Sequence, residues 1–336
     1  VNIKIPFFLA LATAVLFAGC SPSQKKEVVV YTSVDQVYSE PLLKEFEKST
    51  GIKVKAVYDV EASKTVGLAM RLEAEKDAPQ ADVFWNNEFL QTLRLDRLGL
   101  FAPISDAPAR TLAEKVPQKF RCPSLRWVGL GGRARVFLVN TSLVPPDQFP
   151  RSLDSLLSPA ISPEKTGMAL PLFGTTATQA AALFALEGKD AATEFFSAVK
   201  KNGTRFLPGN STVRDLVVSG ELFWGLTDSD DAQGAIERGA PVAVVAPDQQ
   251  TDGTFVVFGT VAPLKNSRHP EEAARLIEFL LSQENSLVDA GAFQWPLASP
   301  SCPMFPDGLK TWDVAPEKIL DQYQESSRLM REMFVP

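Results

Sequence analysis

The chain has 336 residues, of which 45% are hydrophobic and 22% charged, with a formal net charge of −6 and a pI of about 5.1. That length suits about two domains, and that composition buries a core rather than staying disordered. The acidic balance excludes a general nucleic-acid binder, and a single histidine, His269, with three cysteines leaves too few ligands for a zinc site of the His/Cys kind. Metal chemistry is left to oxygen ligands.

The chain opens with one basic residue, Lys4, followed by the uncharged run Ile5–Ala18. At fourteen residues this run is shorter than the ~20 that span a bilayer as a helix, and it has the form of a secretory leader. Leu16-Phe17-Ala18-Gly19-Cys20 resembles a bacterial lipobox, whose cysteine receives lipid. The expectation is a leader over 1–19, a lipidated Cys20 and a polar tether over 20–26. The protein is then placed in the periplasm or at the cell surface, held to the membrane by lipid. An oxidising compartment permits a disulfide, and Cys122 and Cys302 are the candidates. Pairing and two buried thiols are equally open.

Strands and helices then alternate. Glu27–Ser33 reads as a strand, Ser39–Ser49 as an amphipathic helix ended by Thr50-Gly51, Ile52–Tyr58 as a strand and Ser63–Lys76 as a helix. Ala81–Trp85 is a short buried strand and Glu88–Leu98 a helix. Trp127–Asn140 is a long strand whose Gly131-Gly132 predicts a bend or close backbone approach. Further on come the strand Met168–Leu172 and helices Ala177–Leu186, Ala191–Asn202 and Thr212–Ser219. The strand Leu222–Leu226, the helix Ala232–Arg238, strands Val242–Val245 and Thr254–Val261, and helices Pro270–Leu281 and Pro316–Met333 complete the chain. Such alternation predicts α/β architecture, with ligands in the crevice at the carboxyl ends of the strands. Ser33, Asp59, Asn86, Asn87 and Glu88 all fall just after predicted strands.

Three further patterns carry chemistry. Asp228-Ser229-Asp230-Asp231 packs three carboxylates after an apolar strand, a group that repels itself unless a cation, an amine or solvent offsets it. An exposed helix cap is the bland alternative. Gly174-Thr175-Thr176-Ala177 opens a helix with free N–H groups and hydroxyls, which suits an anion or simple capping. Pro208-Gly209-Asn210-Ser211-Thr212 is a second such start. Arg133 could face an anion, whereas Arg135 reads as a solvent-facing strand residue. His269 has no catalytic partner nearby in sequence, and Trp85 and Trp224 read as core.

Val30-Tyr31-Thr32-Ser33, Phe46–Val54, Ala81–Glu88, Gly99–Pro103 and Trp127–Val136, in that order, resemble bacterial extracellular solute-binding proteins, most closely the ferric-iron-binding group of ABC importers. The resemblance implies a type II periplasmic-binding-protein clamshell, two α/β lobes each with a mixed sheet flanked by helices. Residues 27–130 with about 240–290 would form the first lobe, and 131–239 with about 291–336 the second. It implies partnership with permease and ATPase subunits, and no catalysis. In iron-binding members a histidine follows the first strand, where Asp35 stands here, and a glutamate follows the third, where Asn87 stands beside Glu88. Their tyrosine pair is matched by Asp230 and Asp231. In that family the region of Thr175 and Thr176 binds a companion anion or a phosphate-bearing ligand.

The expected ligand-binding residues are therefore Ser33, Asp35, Asn87, Glu88, Thr175, Thr176, Asn210, Asp228, Asp230 and Asp231, with Asp35, Asp230 and Asp231 as metal ligands. The expected cargo is iron(III) or another hard cation with a companion anion, and no resident cofactor is required. The alternatives are a phosphorylated or amine-bearing organic solute, and a surface hydrolase working through paired carboxylates.

Overall fold

The computed structural model describes residues 1, 26–59, 67–157, 161–299 and 302–335. The proposed leader, Cys20 and most of the tether lie outside the described residues, as does the start of the helix expected at Ser63. Among the described residues no helix is long and apolar enough to cross a membrane.

The first lobe is built on β1 (Glu27–Thr32), β2 (Lys53–Tyr58) and β3 (Val83–Asn86), joined by α1 (Gln36–Thr50) and α2 (Gly67–Ala74). β1 pairs parallel with both β2 and β3. α1 buries Leu42, Leu43 and Phe46 against this sheet and stops at Gly51, whose φ of +72° closes the last turn through its N–H to the Glu47 carbonyl. α3 (Leu90–Arg97) and α4 (Ala107–Lys115) follow. α4 escaped the sequence reading, although Asp106 accepts the Ala109 N–H at its start and Pro108 sits in its first turn.

The chain then crosses to the second lobe on β4 (Val128–Asn140). Its first half pairs with β9 (Val256–Pro263), and its second half with β7 (Trp224–Asp228) and β8 (Val242–Val245). β5 (Thr166–Ala169) pairs with β7 and with β6 (Arg205–Leu207), whose three residues are too short for a periodic signal. β9 carries the chain back by pairing with β3. The full order is β2-β1-β3-β9-β4-β7-β5-β6, with β8 also on β4.

The double glycine is where β4 changes course. Its register with β9 shifts between Gly129 and Gly132, and Gly131 has φ +67°. A Cβ on Gly131 would lie 2.3 Å from the Phe293 ring. Glu284, buried, accepts the N–H groups of Gly131, Leu297 and Ala298, so the chain near 293–298 is stitched to the crossing strand.

The second lobe's helices are α5 (Gly174–Glu187), α6 (Lys189–Asn202), α7 (Asn210–Ser219) and α8 (Ser229–Glu237). α9 (Pro270–Ser282), α10 (Glu284–Asp289) and α11 (Pro316–Phe334) end the fold, with α11 packed on α5 and reaching α3. Several boundaries differ from expectation, and those nearest the acidic cluster matter most for the site. α5 begins at Gly174, α7 at Asn210, and β7 runs on to Asp228 so that α8 starts at Ser229.

Cys122 and Cys302 are free, buried thiols. His269 is structural: its Nδ1 lies 2.9 Å from Asp82, which also accepts the N–H groups of Val29 and Arg268. Trp85 and Trp224 are core residues.

Candidate functional site

A cavity of about 180 Å³ lies where the two lobes meet. Val34, Asp35 and Tyr38 line it from the end of β1 and the start of α1, and Asn87 from the end of β3. Arg133 enters from β4, Asp230, Gln233 and Glu237 from α8, and Phe293 and Gln294 from the segment stitched to Gly132. Strand ends and helix starts meet here because α/β connections leave their backbone termini at one edge of the sheet.

Asp35, Asn87 and Asp230, three residues singled out from sequence, are thus brought together. Arg133 spans them: Nη2 donates to the Asn87 carbonyl at 3.1 Å and Nη1 lies 3.5 Å from Asp230 Oδ2. Its Nε is buried without a protein partner.

Carboxylate oxygens of Asp228, Asp230 and Asp231 lie within 4.8 Å of one another. Each acid has an arginine: Asp228 with Arg135 at 2.7 Å, Asp230 with Arg133, and Asp231 with Arg214 at 2.9 Å. These cations do not fully offset burial and crowding. Desolvation, helped by the charges of Asp230 and Asp228, raises Asp231 to about 7. Asp230 is raised as well, by desolvation and then by Asp228, against the pull of Arg133. About a third of its side chain, 36%, still opens to the cavity. Burial is the larger cause of both shifts, and a cation bound beside these acids would favour their charged forms.

The other expected residues are committed elsewhere. Ser33 is buried and bonded to the side chains of Asn86 and Asn87, joining β1 to β3. Glu88 accepts the N–H groups of Leu90 and Gln91 at the start of α3 and does not line the cavity. Thr175, Asn210 and Asp228 form a hydrogen-bonded group in the second lobe, with Thr176 Oγ1 3.5 Å from Asn210 Oδ1. Arg135, expected on a solvent face, is wholly buried at the centre of that group. The Thr175 hydroxyl, expected to face an anion, therefore faces Asp228 instead.

Tyr38, Gln233, Glu237 and Gln294 line the cavity without having been foreseen. Tyr38 stands three residues after Asp35, and Gln233 and Glu237 three and seven after Asp230, spacings that share a helix face. Placing the start of α8 at Ser229 would have revealed the latter two. Gln294 reaches the cavity through tertiary pairing with β4, which no local signal announces.

A cleft between two α/β lobes joined by crossing strands, lined with convergent polar groups, defines a receptor for a small solute. The sequence pattern of the bacterial extracellular solute-binding proteins matches residues 42–295, and the chain belongs to that family. It is 27% identical over 286 residues to the Fe(3+)-binding periplasmic protein of Serratia marcescens, covering 83% of this chain and 81% of that one. Its fold matches iron-bound HitA of Pseudomonas aeruginosa with a TM-score of 0.77 at 23% identity, over 92% of this chain and all of the other. It also matches AfuA of Actinobacillus pleuropneumoniae, solved with fructose-6-phosphate, with a TM-score of 0.67 at 22% identity over 92% and 98% of the two chains. Members of this family bind solutes rather than transform them, so the chain is not an enzyme.

Proposed function

We propose that this chain is the receptor of an ABC importer that captures a hard cation, iron(III) foremost, and presents it to permease and ATPase subunits. The observation that carries the reading is the carboxylate cluster of Asp228, Asp230 and Asp231, whose member Asp230 lines the cavity together with Asp35, while Asp228 and Asp231 stand outside its lining. Carboxylate oxygens are the ligands hard cations prefer. Asp35, Asp230 and Asp231 would hold the ion, with Asp228 adding charge behind them. A companion anion, where the cargo brings one, would face Arg133, whose buried Nε has no protein partner. The iron-binding name of the Serratia relative supports the choice of ion. Lipidation at Cys20 and the leader before it belong to the same proposal and stand on the sequence, as do the lobe boundaries, except that β8 pairs with the second-lobe half of β4 and so falls in the second lobe rather than the first.

An amine-bearing organic solute is the second reading, because Asp35 and Asp230 opposite Arg133 also suit a zwitterion. Phosphoryl recognition at α5 is disfavoured, since the Thr175 hydroxyl donates to Asp228 at 2.6 Å.

Titration of the purified protein with iron(III) supplied as a citrate chelate, followed by elemental analysis, tests the reading. One iron per chain is expected. Asp230→Asn with Asp231→Asn should weaken uptake at least tenfold, since charge-assisted contacts contribute roughly 1.5–3 kcal/mol each. Absence of bound iron, with an organic amine found in native mass spectra, would overturn it.

A further inference from the structure

Two helices of the second lobe begin at one point. α5 starts at Gly174 and α7 at Asn210, and the wholly buried Arg135 reaches the same place from β4. Helix starts carry unpaired N–H groups and partial positive charge, so two of them beside a guanidinium form a strongly anion-seeking corner.

We propose that Asp228 is the resident anion of this corner, and that it bars soluble tetrahedral oxyanions from it. Its Oδ1 accepts Arg135 Nη1 at 2.7 Å, and its Oδ2 accepts Thr175 Oγ1 at 2.6 Å and Asn210 Nδ2 at 2.9 Å. Two more bonds fix the frame: Arg135 Nη1 donates to Asn210 Oδ1 and Nε to Gln179 Oε1, both at 2.9 Å. Asp228 occupies the N-cap position of α8, where a carboxylate ordinarily caps its own helix, yet it makes no such bond. It turns instead toward the starts of α5 and α7. Its side chain is 6% exposed and that of Arg135 not at all.

An incoming phosphate would find these donors spent and a fixed negative charge in a poorly screened interior. The corner nonetheless keeps a donor in reserve, because Arg135 Nη2 is buried with no protein partner. Neutralising Asp228 would therefore leave a guanidinium, a hydroxyl, an amide and two helix starts facing a site with no resident charge. One carboxylate sets the specificity: it makes the lobe electrically complete without a soluble anion. Any anion that travels with the cargo is then confined to the Arg133 side of the cavity. The corner keeps this charge balance whatever the cargo.

Calorimetric titration of the whole protein with inorganic phosphate tests it. The unaltered chain should show no saturable binding. Asp228→Asn should gain saturable phosphate binding, and adding Thr175→Ala should weaken that binding at least tenfold. Two results would overturn the proposal. One is saturable phosphate binding by the unaltered chain that Thr175→Ala abolishes. The other is an Asp228→Asn protein with native melting behaviour that gains none. Should Asp228→Asn not fold, Asp228→Ser takes its place with the same expectations, and the comparison of the unaltered chain with Thr175→Ala decides without either. No cation enters the measurement, so its outcome is separate from that of iron loading.

Discussion

Arg133 Nη1 lies 3.5 Å from Asp230 Oδ2 across the cavity between the lobes. The other end of the same guanidinium holds the Asn87 carbonyl, so one cation ties the end of β3 to the first turn of α8. Arg133 itself sits on the strand that crosses between lobes, at the point where any opening would be felt.

Arg133→Gln should loosen this tie. A charge-assisted hydrogen bond contributes about 1.5–3 kcal/mol, enough to shift an open–closed balance at least tenfold. The expected result is a larger radius of gyration for the ligand-free variant in solution scattering. A scattering curve identical to that of the parent would remove Arg133 as the tie.

Cation capture should depend on pH. Asp231 is raised from its ordinary 3.8 to about 7, so below that range a cation must displace a proton. Affinity should climb as pH rises through about 7 and flatten above it, with proton release detectable by repeating the calorimetry in buffers of different ionisation heat. A flat affinity between acid and mildly alkaline buffer would exclude Asp231 as a ligand.

The same shift sets a stability prediction of definite sign. Between about 3.9, where the unfolded carboxyl loses its proton, and about 7, the folded state holds a proton that the unfolded state has released. Stability from this group therefore falls as pH rises through that window, and the deficit is complete above it. Asp231→Asn should raise the melting temperature of the ligand-free protein in alkaline buffer and leave it level near pH ~4. The gain should be at least about 1 kcal/mol, reduced from the full linkage value because Arg214 loses a charged partner. A melting temperature lowered in alkaline buffer would show that the pair with Arg214 outweighs burial.

Gly131→Ala should destabilise the crossing. Its φ of +67° disfavours any side chain, and the new methyl would meet the Phe293 ring at 2.3 Å. A loss of about 2–4 kcal/mol is expected in denaturant unfolding, from strain and overpacking together. A loss below about 1 kcal/mol would mean that the segment near Phe293 moves freely away from β4.

Cys20→Ala should release the protein from membrane fractions into the soluble fraction. Unchanged retention would refute the lipobox reading.

The architecture was legible because it rests on local chemistry. Period-two and period-3.6 apolar patterns located every strand pairing with β1, and the Gly131-Gly132 pair announced the bend in β4. The predicted strands put Asn87 and Asp230 just past their ends, and the family resemblance added Asp35, where the fold opens a cleft.

What tertiary structure alone decided was which charges meet. Arg135 reads as one of two strand arginines at period two, yet its side chain is enclosed by residues 40 to 93 positions away in sequence. Thr175 and Asp228 each look like a site residue on its own; only their 2.6 Å contact shows that they satisfy one another. Glu88 beside Asn87 looked like a ligand until the first turn of α3 claimed its oxygens. The sequence by itself determined the folding periodicities, because they arise from neighbours along the chain. The partnership of buried charges depends on long-range pairing of β4 with β7 and β9, which brings together groups whose energies in a poorly screened interior no local pattern encodes.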